Sequence, residues 1–144
     1  MDKPISILVV SSEFKNRYAL REILNREGWE TICVSTVGEC EEVLASQNTD
    51  LVFSDRALTD GSYRDILAIA CSVGRSARLV VTSRLADWDE YLEALKDGAF
   101  DLIASPSQKA DVVRVINQAH REDQKTGMPI AAGKALTASA GCPF

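Results

Sequence analysis

The chain has 144 residues, 46% of them apolar and 26% charged, a balance that fits one soluble globular domain and excludes a disordered chain. A net charge of −5 argues against nonspecific nucleic-acid binding and against docking on anionic membrane. No run approaches the ~20 apolar residues of a membrane span, and Met1-Asp2-Lys3-Pro4 shows no signal-peptide layout, so a cytoplasmic location is expected.

Five apolar runs alternate with five segments of helical period. Ile5 to Val10 is almost unbroken apolar, the pattern of a parallel strand buried on both faces. Phe14 to Glu27 reads as a helix with Ala19, Leu20, Ile23 and Leu24 inward, stopped at Gly28. Glu30 to Val34 is a second strand. Thr36-Val37-Gly38-Glu39 has the form of a capping box, opening a helix with Val37, Cys40, Val43 and Leu44 on one face. Leu51 to Ser54 is the third strand, Arg56 to Ser62 a loop, and Tyr63 to Val73 the third helix, ended by Gly74. Leu79 to Thr82 is the fourth strand. Asp87-Trp88-Asp89-Glu90 is a second capping-box sequence, for a helix through Lys96 that stops at Gly98. Asp101 to Ala104 is the fifth strand, and Ser107 to about Glu122 the last helix, with Val112, Val115, Ile116 and Ala119 inward. Such alternation implies a parallel sheet with right-handed crossovers, and chemistry beyond the carboxyl ends of its strands. Residues 1–122 read as one domain, and 123–144, dominated by Gly, Ala, Ser and Thr, as a flexible tail or linker.

Four segments stand in a telling order: Ile7-Leu8-Val9-Val10-Ser11-Ser12-Glu13, Asp50-Leu51-Val52-Phe53-Ser54-Asp55, Leu79-Val80-Val81-Thr82-Ser83, and Ala94 to Pro106 with Gly98-Ala99-Phe100-Asp101 inside it. Together, over residues 5 to about 122, they resemble the receiver domain of response regulators, in an atypical, pseudo-receiver form similar to the single-domain chemotaxis-type regulators. The resemblance implies an α/β, (βα)5 doubly wound, flavodoxin-like three-layer sandwich with five parallel strands in the order 2-1-3-4-5. It places Asp55 at the phosphoacceptor position and Thr82 at the hydroxyl that contacts the phosphoryl group. Leu102 falls at the aromatic switch position, and Pro106 at a proline often entered through a cis bond.

The departures from that family are specific. The acidic pair that holds Mg²⁺ falls on Ser11 and Ser12, with an acid only at Glu13, and the phosphoryl-binding lysine falls on Ser105. The loop after Asp55 is about two residues short. Phosphoryl transfer to a carboxylate relies on positioning and on charge neutralisation by a divalent ion and a cation. Mg²⁺ wants carboxylate and water oxygens, and each close unit-charge pair is worth about 4 kcal/mol at an effective dielectric of roughly 20. With Glu13 and Asp55 the only metal candidates, no cofactor is expected, Mg²⁺ binding is expected to be weakened by orders of magnitude, and Mg²⁺-dependent phosphorylation to be impaired. The hydroxyls can instead donate to Asp55 and make the pocket a polar plug.

Cys33, Cys40, Cys71 and Cys142 stand singly beside one histidine, His120, which points to buried reduced thiols and not to a Cys/His metal site. Trp88 and Tyr91 suit either a partner surface or the core edge; Arg75, Arg78 and Arg84 read as a solvated face, and His120 as a surface residue. The chain is expected to be no enzyme but a module of phosphorelay (two-component) signalling. It would act through protein contacts with a sensor kinase or downstream partner, with a homodimer through the fourth and fifth helices compatible. A working phosphoacceptor at Asp55, served by a histidine kinase, is the alternative. A flavodoxin-like cofactor binder using Ser11, Ser12, Thr82, Ser83 and Ser105 is disfavoured, because Ser11 to Arg17 has no glycine to bring backbone amides against a phosphate.

Overall fold

The strand sequences are apolar at consecutive positions because both faces of the sheet are covered by helices. The computed structural model describes residues 5–73 and 77–125. In chain order it contains β1 (Ser6–Val10), α1 (Phe14–Arg26), β2 (Glu30–Val34), α2 (Val37–Ser46), β3 (Leu51–Asp55), β4 (Ala57–Leu58), β5 (Gly61–Ser62), α3 (Tyr63–Ser72), β6 (Arg78–Ser83), α4 (Trp88–Asp97), β7 (Asp101–Ala104) and α5 (Lys109–Lys125). Five strands pair in parallel in the order β2-β1-β3-β6-β7, which is the expected 2-1-3-4-5 order once the short β4 and β5 are set aside.

Alternate residues of each strand enter two separate cores. Leu8, Val10, Val52, Leu79, Val81 and Leu102 pack with α2, α3 and α4. Ile7, Val9, Leu51, Phe53, Val80 and Ile103 pack with Leu20 and Leu24 of α1 and Val112, Val115 and Ile116 of α5. Burying a side chain of this size contributes roughly 1.5–3 kcal/mol, which is why these rows, and not local propensity, fix the strands. Continued by the two-residue period, the second set of rows runs through Ser11 on β1's extension, Asp55 on β3 and Thr82 on β6.

Three local features differ from expectation. The loop after Asp55 folds back as an antiparallel pair, Ala57 opposite Ser62 and Leu58 opposite Gly61. Gly61 is demanded there by space, since a Cβ would collide with the Asp65 carboxylate and press on Val37. The complete capping box is Ser62 with Asp65 at the start of α3. The two expected boxes are only half formed: Thr36 and Asp87 accept from Glu39 and Glu90, but Glu39 turns to Ser35 and Glu90 to Ala86 and Ser83. Finally, α5 runs to Lys125. Gly74, Arg75, Cys142 and, from residue 126 on, the expected tail lie outside the described residues.

The helix stops at Gly28 and Gly98 occur as expected, both with positive φ (83° and 112°). Cys33 and Cys40 are free, and burial pushes the Cys40 thiol up to about 12. Cys71 departs from the expected burial: it is exposed. His120 is half-buried, not fully at the surface. Among the described residues no helix is long and apolar enough to cross a membrane.

Candidate functional site at the carboxyl end of β3

Asp55 ends β3 opposite Thr82 of β6, and only 8% of it is exposed. Oδ2 accepts from the Ser11 hydroxyl at 2.8 Å and from the Ser12 amide at 3.1 Å. Oδ1 accepts from Asn16 Nδ2 at 2.9 Å and from the Thr82 hydroxyl at 2.9 Å. Four donors therefore share the four lone-pair directions of one carboxylate. Hydrogen bonds to a charged acceptor contribute about 1.5–3 kcal/mol each, and among the described residues no buried side-chain nitrogen or oxygen lacks a partner.

Asn16 is the residue that sequence reasoning passed over. It is 2% exposed and sits one and two turns before Leu20 and Leu24 on the buried stripe of α1. Its amide NH₂ serves both Asp55 and Thr82, the latter at 3.1 Å. Its carbonyl accepts from the Ser107 amide at 3.3 Å and hydroxyl at 3.4 Å. Asn16 thus ties the end of β3 to the segment between β7 and α5. The signal was present in the spacing: a polar side chain on an apolar stripe must find partners.

The other expected pocket residues divide. Ser11 and Thr82 reach Asp55 with their hydroxyls. Ser12 reaches it only through its backbone, while its hydroxyl donates to Ser35 O (2.8 Å) and accepts from Thr59 N (3.1 Å). Glu13 is at the N-cap of α1 without a side-chain cap bond, and its carboxylate pairs with Arg84 from the loop after β6. Ser105 is half-buried and donates its amide to Ser83 O at 3.0 Å, and Ser105–Pro106 is cis. Ser107, not Ser105, carries the loop's polar contact to the site. Leu102 is buried in the core beneath α4.

Around this centre, Asp60 accepts from the amides of Val37 (2.8 Å) and Gly38 (3.2 Å) at the start of α2. The Val37 bond above all holds its carboxyl below the usual range. On α4, Trp88 is 67% exposed and its ring stacks on Tyr91 at 5.4 Å. Arg78 lies over the Phe100 ring; Arg84 is largely exposed, as expected of a solvated face, while pairing with Glu13; Arg75 falls outside the described residues.

A divalent cation is held by lone pairs aimed at it, from carboxylates above all. Around Asp55 the protein aims N–H and O–H groups instead, and the second carboxylate in the neighbourhood, Glu13, already faces an arginine. Among the described residues no three His, Cys, Asp or Glu side chains cluster as a metal site. The residues present do not fit a resident Mg²⁺.

No family model matches the chain. It is 26% identical over 113 residues to the chemotaxis protein CheY of Thermotoga maritima, covering 78% of this chain and 94% of that protein. It is 30% identical over 99 residues to the response regulator protein PilR of Pseudomonas aeruginosa, covering 69% of this chain but 22% of PilR. Among solved structures, a CheY-like response regulator receiver domain protein from Methanospirillum hungatei superposes with a TM-score of 0.76 at 22% identity, covering 86% of this chain and 99% of that one. Sequence kinship and fold together strongly support a response-regulator receiver (CheY-like) domain over the described residues.

Proposed function

We propose that the chain is a receiver-like module of phosphorelay signalling that acts mainly through protein contacts, with Asp55 serving as a structural anchor in place of a metal-assisted phosphoacceptor. The observation that carries this reading is the fourfold hydrogen bonding of Asp55 by Ser11, Ser12, Asn16 and Thr82. In the receivers this chain resembles, crowded carboxylates are relieved by Mg²⁺ and lysine. Here neutral dipoles do that work, and a phosphoryl group or metal would have to displace them. The partner is a protein, a sensor kinase or a downstream component, and a homodimer through α4 and α5 is compatible with the exposed α4 residues.

A second reading keeps Asp55 as a phosphoacceptor, and one observation favours it: Thr82 stands 2.9 Å from Oδ1 at the strand end where receivers carry this hydroxyl. Mass spectrometry after incubation with acetyl phosphate and Mg²⁺ separates the two. The first reading predicts no phosphoryl adduct on Asp55, even after Asp55 has been trapped rapidly at low temperature. A stoichiometric adduct that disappears in Asp55→Asn would establish the second.

A further inference from the structure

The charges beside the site are engaged elsewhere. Arg56, the residue after Asp55, donates its amide to Thr82 O at 2.9 Å and so is fixed at the strand end. Its guanidinium turns away toward α4, where Nη2 meets Glu93 Oε1 at 2.9 Å and Nε lies 3.4 Å from Glu90 Oε2. The other Glu90 oxygen accepts from the Ser83 hydroxyl (2.5 Å) and the Ala86 amide (3.0 Å). Ala86, with φ at +46°, makes the bend that leads into the helix. The second Glu93 oxygen pairs with Arg64 Nη2 at 2.8 Å. Arg64 Nε reaches Asp97 Oδ2 at 2.8 Å, and the Tyr63 hydroxyl donates to that same oxygen at 2.5 Å.

Glu90, Glu93 and Asp97 form a single face of α4, three and four residues apart. Of the two arginines that hold them, Arg56 directly follows Asp55 and Arg64 is the second residue of α3. Hydrophobic attachment of this helix is thin: among its ten residues it fully buries only Ala94. Its outer side carries Trp88, Leu92 and Leu95 in the open. Beneath it, Leu102 is aliphatic and buried, so no aromatic ring there links site and helix. Salt bridges at half-exposed positions are individually weak, but two arginines shared among three carboxylates hold each other in place and lower the ordering cost per pair.

We propose that Arg56, Arg64, Glu90, Glu93 and Asp97 form an ionic clamp through which the end of β3 sets the placement of α4 and its exposed Trp88 face. The shared interactions lower the Glu93 carboxyl, the Arg56 bond foremost. The clamp needs neither metal nor phosphoryl group, so its test is independent of whether Asp55 is ever modified.

The experiment uses the full chain and two readouts: hydrogen exchange of the α4 amides, and fluorine NMR of fluorotryptophan-labelled protein. The two tryptophans, Trp29 and Trp88, give separate signals, assigned with Trp88→Phe. Glu93→Gln and Arg56→Gln should each speed α4 exchange about three- to tenfold while leaving β1 and β3 unchanged. The double variant should add little to either. High salt should reproduce the effect in the unmodified chain and have a smaller one in the variants, which keep the Arg64–Asp97 pair. Asp55→Asn should shift the Trp88 signal, and that shift should vanish in the Glu93→Gln background. Unchanged α4 exchange, equal acceleration throughout the domain, strictly additive single effects, or a Trp88 shift that is absent or survives Glu93→Gln would each overturn the clamp.

Discussion

On the α1 side of β3, one carboxylate lies buried among neutral donors; on the α4 side, two arginines and three carboxylates pair near the surface. Asp55 and Arg56 are adjacent in sequence, yet successive strand residues face opposite layers, so one enters the α1/α5 pocket and the other reaches α4. The difference shows two ways to satisfy charge. A buried ion needs fixed dipoles around it, and removing any of them leaves a costly unpaired group. A half-exposed pair is backed by water, contributes little, and yields to salt. Perturbations on the first side should therefore be large and insensitive to ionic strength; those on the second should be small, local and salt-dependent.

The largest effect is expected from Asp55→Ala, which leaves the Ser11, Ser12, Asn16 and Thr82 donors facing an empty centre. Stability measured by urea unfolding should fall by about 3–5 kcal/mol at low and high salt alike. Next comes Asn16→Ala, at about 2–3 kcal/mol, since both Thr82 and Ser107 lose a partner; its hydrogen exchange should rise at Ser107 before it rises in the strands. If Asn16→Ala were neutral, the buried side would not be the anchored one.

A pH scan sharpens the contrast further. Asp60, Glu39 and Glu93 have lowered carboxyl values, through the Val37 amide, the Ser35 amide and Arg56 respectively. Their contribution is present above the ordinary carboxylate range near pH 4 and is lost as pH falls through the folded-state values. Tyr63 is raised, by burial first and then by its bond to Asp97. Its contribution is full below the ordinary tyrosine value of about 10 and is lost as pH rises beyond it. Asp60→Asn should flatten the acid limb and Tyr63→Phe the alkaline one. The smallest effect on stability is that of Glu93→Gln, a slight loss that high salt abolishes.

The sheet could be read from residue order because each strand is apolar on both faces and each helix has one apolar stripe. Asp55 and Thr82 were legible because the resemblance to receiver segments marks the residues at the ends of the third and fourth strands. Asn16 was not: the helix was read from its aliphatic residues alone, and only the spacing of this amide from Leu20 and Leu24 marks its burial. The hydroxyl beyond β7 was expected at Ser105, yet Ser107 is the one that turns inward, to the Asn16 carbonyl. Glu90 had the right spacing for a capping box with Asp87, but Arg56, Ser83 and Ala86, remote or across a bend, compete for its oxygens. Such competition is settled by tertiary contacts that no local pattern contains.

The account turns on whether Asp55 is held by the protein or waits for a cation. Thermal unfolding of the unmodified chain and of Asp55→Asn, each across Mg²⁺ up to about 10 mM, tests this directly, because a ligand bound only by the folded state raises its midpoint. Anchoring by hydrogen bonds predicts that Asp55→Asn unfolds at lower temperature throughout and that Mg²⁺ moves neither midpoint. A midpoint that rises with Mg²⁺ in the unmodified chain but not in Asp55→Asn would contradict it.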